Sequence, residues 1–137
     1  MIDMCLLRLL SRNLDIKKGV IWIGGKKMVA LMADTPRKMT VGLMFRKSLK
    51  QNECMLFVFP NDGYHSIWMR NMIFPIDIVW YDSNRRVVDF VESAMPSKRF
   101  DFSGYRPKEP SRYVVEFNAG FVKRNRLKIK DVAKFGV

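Results

Sequence analysis

Histidine is almost missing: the 137 residues contain one, His65. A multi-histidine metal centre is thereby excluded. A serine-hydrolase triad would have to use that single imidazole, and no Gly-x-Ser-x-Gly elbow accompanies it. Cysteine is scarce too. Cys5 and Cys54 fit no metal-ligand spacing, form no disulfide framework and sit beside apolar residues, so the expectation is free thiols in a reducing cytoplasm. The eight glycines include no Gly-x-Gly-x-x-Gly and no Walker loop, which disfavours nucleotide-dependent catalysis. The acidic residues show no calcium-loop pattern. The sequence therefore predicts no cofactor and no bound metal. Long apolar runs are also lacking. Leu6, Leu7, Leu9 and Leu10 are interrupted by Arg8 and preceded by Asp3, too short a stretch for a transmembrane span. Residues 1–15 read as a poorly determined leader, and 16–137 as a single domain.

What is present is basic charge. The chain holds 25 Lys and Arg against 13 Asp and Glu, a net charge of +12. The excess is uneven: residues 17–50 hold nine basic and one acidic group, and residues 104–137 nine and three, whereas residues 51–103 hold five and seven. Such asymmetry favours contact with polyanions without dictating a fold. At 48% hydrophobic and 28% charged the composition is that of a folded globular chain, which excludes intrinsic disorder.

The hydropathy pattern reads as strands with one helical interruption. Val20 to Ile23, the Gly24-Gly25 turn and Lys26 to Met32 predict a hairpin. Thr35-Pro36 is a helix start, because the hydroxyl can accept an orphan N–H and proline is tolerated at the first helical position. Met39 and Leu43 share a face, so a helix or two helical turns are expected from Pro36 to about Leu49, with Gly42 weakening them. Further strands are expected at Cys54 to Phe59, ended by Pro60 and an Asn61-Asp62-Gly63 turn, and at Tyr64 to Met69. After the Pro75 break, Ile76 to Tyr81 and Arg86 to Glu92 form a second hairpin around Asp82-Ser83-Asn84. An irregular surface loop is expected from Met95 to Arg112. Tyr113 to Phe117 resumes a strand, residues 118–125 hold a short turn or helix, and Leu127 to Val132 supplies the last strand. The fold expected is mainly β, a compact small barrel or sandwich with one or two short helical segments.

Several motifs in succession carry a resemblance: Ala33 to Pro36 (ADTP), Gly42 to Arg46 (GLMFR), Met55 to Phe59 (MLFVF), Trp68 to Ile78 (WMRNMIFPIDI) and Tyr113 to Phe121 (YVVEFNAGF). Over about residues 20–132 the chain resembles the domain-of-unknown-function 192 family of archaea and bacteria, as an uncharacterised archaeal member. The resemblance implies a small β-rich fold and no established reaction. Relatives often carry Gly before the methionine matching Met55, where this chain has Cys54. Cysteines seen near the position of Pro96 are missing here, since Ser97 follows it, which argues against a redox role.

The densest group of candidate site residues is Trp68, Arg70, Asn71, Pro75 and Asp77. Strand alternation puts Asp77 on the face opposite Ile76, Ile78 and Trp80, either in solvent, or anchoring backbone N–H groups or Arg46, or acting in catalysis. Asn71 reads as a turn former or a ligand contact. Glu116, between Val115 and Phe117, would pair with Asp77 for acid and base work if their strands were neighbours. Arg46 suits a helix C-terminus or holds an anion in its fork. Trp68 is a core residue or the floor of a pocket. The expectation is a non-enzymatic small-molecule or accessory binding domain, its pocket built from Arg46, Trp68, Asn71, Asp77 and Glu116 around a small polar ligand. Two alternatives stand beside it. One is a basic protein that associates with nucleic acid through cations interleaved with Trp22, Tyr105, Tyr113 and Phe121. The other is a carboxylate-dependent hydrolase.

Overall fold

The computed structural model describes residues 5, 15–97, 101 and 103–136; apart from residues 5 and 15, the expected leader lies outside them. The first hairpin joins β1 (Lys18–Ile23) to β2 (Lys26–Ala33). Gly24 and Gly25 both have positive φ, 56° and 80°, as a two-residue turn matching strand twist requires. Thr35 then caps α1 (Pro36–Val41), accepting the Lys38 N–H at 3.2 Å.

The expected helix to Leu49 stops after six residues. Gly42 takes φ 50° and ψ −128°, and Phe45 takes φ 62°, so periodic apolar side chains continue while the backbone leaves the helix. The strand expected to end at Phe59 instead runs through Pro60 to Gly63 as β3 (Glu53–Gly63), with a register shift between Val58 and Gly63. Proline fits there because its missing donor falls in that irregularity. The strand expected at Tyr64 to Met69 shrinks to β4 (Ile67–Trp68). It pairs with β7 (Gly104–Tyr105), an element inside the expected loop.

The second hairpin is β5 (Ile76–Tyr81) and β6 (Val87–Ala94). Asp82 Oδ1 fixes its turn by accepting the N–H groups of Asn84 at 2.9 Å and Arg86 at 3.0 Å. β8 (Ser111–Asn118) and the single turn α2 (Phe121–Arg124) follow. The last strand is β9 (Lys134–Gly136), not Leu127 to Val132. Residues 130–133 instead bond to the start of β6 and the turn before it, with Val87 N–H on Asp131 O at 2.9 Å and Ala133 N–H on Arg85 O at 2.9 Å.

Seven strands form one sheet in the order β6-β5-β8-β3-β2-β1-β9, with β2 and β3 parallel and the other pairings antiparallel. β4 and β7 make a separate ribbon. Five steps of the order separate β5 from β9, about 24 Å in a flat sheet. Yet Tyr81 of β5 meets Phe135 of β9 edge-on with ring centroids 5.8 Å apart, so the sheet bends strongly. Among the described residues no closed barrel results: β6 and β9 remain the ends of the sheet, and an isolated bridge between Arg86 and Val132 stands where a ladder would close it.

Bending gives the sheet two buried faces. One packs Ile21, Ile23, Leu56, Val79, Val115 and Phe117 inside the curve. The other packs Met55, Phe57, Ile76, Ile78, Trp80 and Val114 beneath two covering segments, residues 39–49 and 65–74. All six residues of β5 are therefore buried. Each large apolar side chain so buried contributes about 1.5–3 kcal/mol. Trp80 also ties down the second cover by donating its indole N–H to His65 O at 2.7 Å. The two covers are joined by the Phe45 N–H on Asn71 O at 2.9 Å.

Candidate functional site

Between the two covering segments lies a cleft of about 520 Å³, within the range of small-molecule sites. Its geometry follows from the short helix. Because α1 ends at Gly42, the chain turns back over the sheet and leaves Met39, Val41 and Met44 along one wall. Ile67, Trp68, Arg70 and Met72 form the opposite wall. Phe57 and Phe59 of β3 and Glu116 of β8 form the floor.

Gly42 is required at its place twice over. Its φ and ψ lie in a region side-chain-bearing residues avoid. An added Cβ would also stand 3.2 Å from Phe57 Cζ and 3.6 Å from Glu116 Oε1. The bare backbone thus leaves space directly beside the carboxyl.

Glu116 is 3% exposed, and among the described residues its carboxyl receives no hydrogen bond and no ion pair. Burial alone pushes it up from the usual carboxyl range to about 8. Removal from water disfavours the charged form, and no neighbouring cation offsets this. At neutral pH the group is mainly the uncharged acid, able to donate one hydrogen bond and accept another.

Asp77 is a different kind of buried acid. It faces Phe117 across the β5–β8 pairing whereas Glu116 faces Ile78, so the two carboxyls point to opposite sides of the sheet. They cannot flank one bond. Asp77 Oδ1 accepts the N–H of Ser93 at 2.8 Å, and Oδ2 that of Val122 at 2.9 Å. Ser93 lies where the β5–β6 register slips between Ile76 and Ile78, so its N–H is freed from the ladder. Val122 lies in the first turn of α2, whose N-cap Gly120 offers no side chain. Asp77 therefore heals a bulge with one oxygen and caps a helix with the other.

The remaining sequence candidates separate in the same way. Trp68 lines the cleft, with the Arg70 guanidinium 5.6 Å above its ring. Asn71 takes φ 59° at the junction of the two covers, where its side chain meets Met44 Sδ at 3.7 Å, and it does not line the cleft. Arg46 is half-buried beyond the end of α1 and outside the lining. Of the five, the cleft brings together Trp68 and Glu116. Sequence reasoning passed over Gly42, Phe57 and Phe59 as participants; a glycine inside a helical pattern was the available signal for a close approach.

His65 is not part of the lining but stands behind it, its ring stacked on Phe59 at 3.7 Å and Nε2 against Asn61 O at 2.8 Å. Among the described residues no group of three or more His, Cys, Asp or Glu is placed to hold a metal, and no helix is long and apolar enough to cross a membrane. Of the aromatic residues proposed to interleave with cations, Phe121 is buried and stacked on Phe117 at 3.8 Å. Tyr113 packs edge-on against Phe135 at 5.0 Å. Trp22 lies under Lys134 at 5.4 Å, and Tyr105 is exposed.

The family model DUF192, described as "Uncharacterized ACR", matches residues 19–135. A UPF0127 protein of Thermococcus gammatolerans is 35% identical over 122 residues, which cover 88% of this chain and 72% of that protein. A second, from Thermococcus kodakarensis, is 36% identical over 77% of this chain and 61% of its own length. Among solved structures, a Sinorhizobium meliloti protein described as a "putative transcription regulator" is similar with a TM-score of 0.82 and 26% identity, over 90% of this chain and 97% of that one. A protein of unknown function from Novosphingobium aromaticivorans is similar with a TM-score of 0.74 and 28% identity, over 87% and 84% of the two chains.

Proposed function

The chain belongs to the DUF192 family, and for this member we propose a non-enzymatic role: a small-molecule binding domain whose ligand occupies the cleft between the two covering segments. One observation carries the reading, the cleft of about 520 Å³ whose mainly apolar lining converges on one buried, unpartnered carboxyl, that of Glu116. A desolvated polar group without a partner costs stability, so it persists most readily where a ligand completes it. Turnover is not part of the proposal. The two buried carboxyls lie on opposite faces, and the one imidazole is outside the cleft lining, its Nε2 against Asn61 O at 2.8 Å. The buried thiol of Cys54 suits a reducing cytoplasmic setting. A fragment screen by thermal shift tests the reading, run in parallel on the wild type and on Ser66→Trp, which places an indole in the cleft. Hits on the wild type that vanish in the variant are expected. Hits that survive the variant unchanged would place binding elsewhere.

A second reading has its own support: a net charge of +12, and the regulator description of the Sinorhizobium protein. On this reading the basic surface associates with nucleic acid by releasing phosphate counterions, and affinity for a 20-mer duplex falls steeply with added salt. No binding in 25 mM salt would remove it.

A further inference from the structure

We propose that the cleft takes an organic amine, its ammonium group held at the Glu116 carboxyl beside Gly42 and its apolar body between Met39, Met44, Phe57 and Phe59. This rests on the small-molecule reading above and names the ligand class for it.

Three features of the geometry select that chemistry. The polar end of the cleft is a single carboxyl with no described donor or cation upon it. An ammonium is the ligand group that restores hydrogen bonds and charge balance to such a carboxyl at once. The surrounding side chains are thioethers and aromatic rings, soft and polarizable, and ring faces attract cations. Finally, the missing Cβ at Gly42 opens space beside Oε1 for a small head group.

An anionic head fits poorly at this place. The other charge lining the cleft is Arg70, which stands over Trp68 in the wall rather than at the floor. Of the elements packed against Glu116, β3 and β5 present Met55 and Ile78 as its cross-strand partners. On α1, Lys38 is turned to Asp34 at 3.5 Å, and neither it nor Arg37 joins the lining. Without an ammonium beside it, the buried acid holds its proton up to about pH 8. Binding an ammonium favours the carboxylate, so uptake of the amine expels that proton to solvent, and affinity rises with pH while the amine remains charged.

The test uses the full chain and three near-isosteric probes: tryptamine, tryptophol and indole-3-acetate. Binding is followed by calorimetry at pH 6.5 and 8 in two buffers of different ionisation enthalpy, and located by methionine-methyl NMR. The expected result is tryptamine at least tenfold tighter than tryptophol at pH 8, weakening toward pH 6.5, with release of close to one proton at the lower pH. Indole-3-acetate is expected to bind weakest. Glu116→Gln, a neutral isostere, should erase the preference for tryptamine while tryptophol still perturbs the cleft methyls. The proton count needs no variant, so it stands even if the substitution impairs folding. Tryptophol binding in the cleft as tightly as tryptamine, or no proton release, would overturn the amine proposal and leave the cleft reading intact. Failure of all three probes to perturb the cleft would overturn both.

Discussion

Asp77 and Glu116 occupy adjacent strands one register position apart, yet their carboxyls point to opposite sides of the sheet. The consequence is a division of labour between two acids that the sequence presents in much the same way, each set among apolar strand residues. Each Asp77 oxygen accepts one backbone N–H, while Glu116 has no donor among the described residues.

Asp77→Asn should therefore destabilise the fold without touching the cleft. An amide can replace one acceptor oxygen, but its NH₂ then opposes the N–H of Ser93 or Val122. Leaving a buried backbone donor unsatisfied costs about 1–3 kcal/mol, and the expected loss lies in that range. Urea unfolding measures it, and unchanged ligand binding by the folded variant separates the two faces.

Glu116 links stability to pH. In the unfolded chain it titrates near its ordinary value of 4.5; in the folded chain it titrates near 8. Between those values the folded state keeps a proton the unfolded state has lost. Stability therefore falls as pH rises through this window, by up to about 1.4 kcal/mol per pH unit, and levels off above it. Glu116→Gln has no proton to lose. The difference in unfolding free energy between variant and wild type should grow in the variant's favour from pH 5 to pH 8.5; a constant difference would contradict the assignment.

Gly42→Ala should be costly at a site that is only half-buried. The residue must hold φ 50° with ψ −128°, and its new methyl meets Phe57 Cζ at 3.2 Å. A loss of about 1–3 kcal/mol is expected from backbone strain. Thermal unfolding checks this, and the same methyl, set beside Glu116, should weaken any cleft ligand.

Tyr81→Phe is the substitution expected to stabilise. The phenol is buried in the inner core and, among the described residues, its hydroxyl has no hydrogen-bond partner. Desolvation first, then the charges of Cys54 and Asp131, push its ionisation upward. Removing a buried, unpaired hydroxyl should raise stability by about 1 kcal/mol in denaturant titration.

The parts of the fold legible in the sequence are those with local causes. Gly24-Gly25, Asp82-Ser83-Asn84 and Thr35-Pro36 announce two hairpins and a helix start because the deciding contacts lie within four residues. The end of α1 was not legible, since Leu43 and Met44 continue the apolar pattern while Gly42 changes the backbone. The last strand was displaced for a related reason: residues 130–133 satisfy their backbone on β6, a partner remote in sequence. Alternation correctly put Asp77 opposite Ile76 and Ile78, but it could not reveal that both faces of β5 are covered. The cleft itself arises where residues 39–44, 57–59, 66–72 and 116 converge. No single stretch of sequence carries that convergence.

If the cleft over Glu116 is a ligand site, the ten methionines supply its direct reporter. With ¹³C-methyl methionine incorporated, the protein is titrated with a library of small amines and neutral aromatic fragments. Met39, Met44 and Met72 line the cleft, whereas Met28 lies in the core on the other face of the sheet. Saturable shifts at the first three with Met28 unmoved are the predicted result. No compound shifting those three methyls, or Met28 moving in step with them, would contradict it.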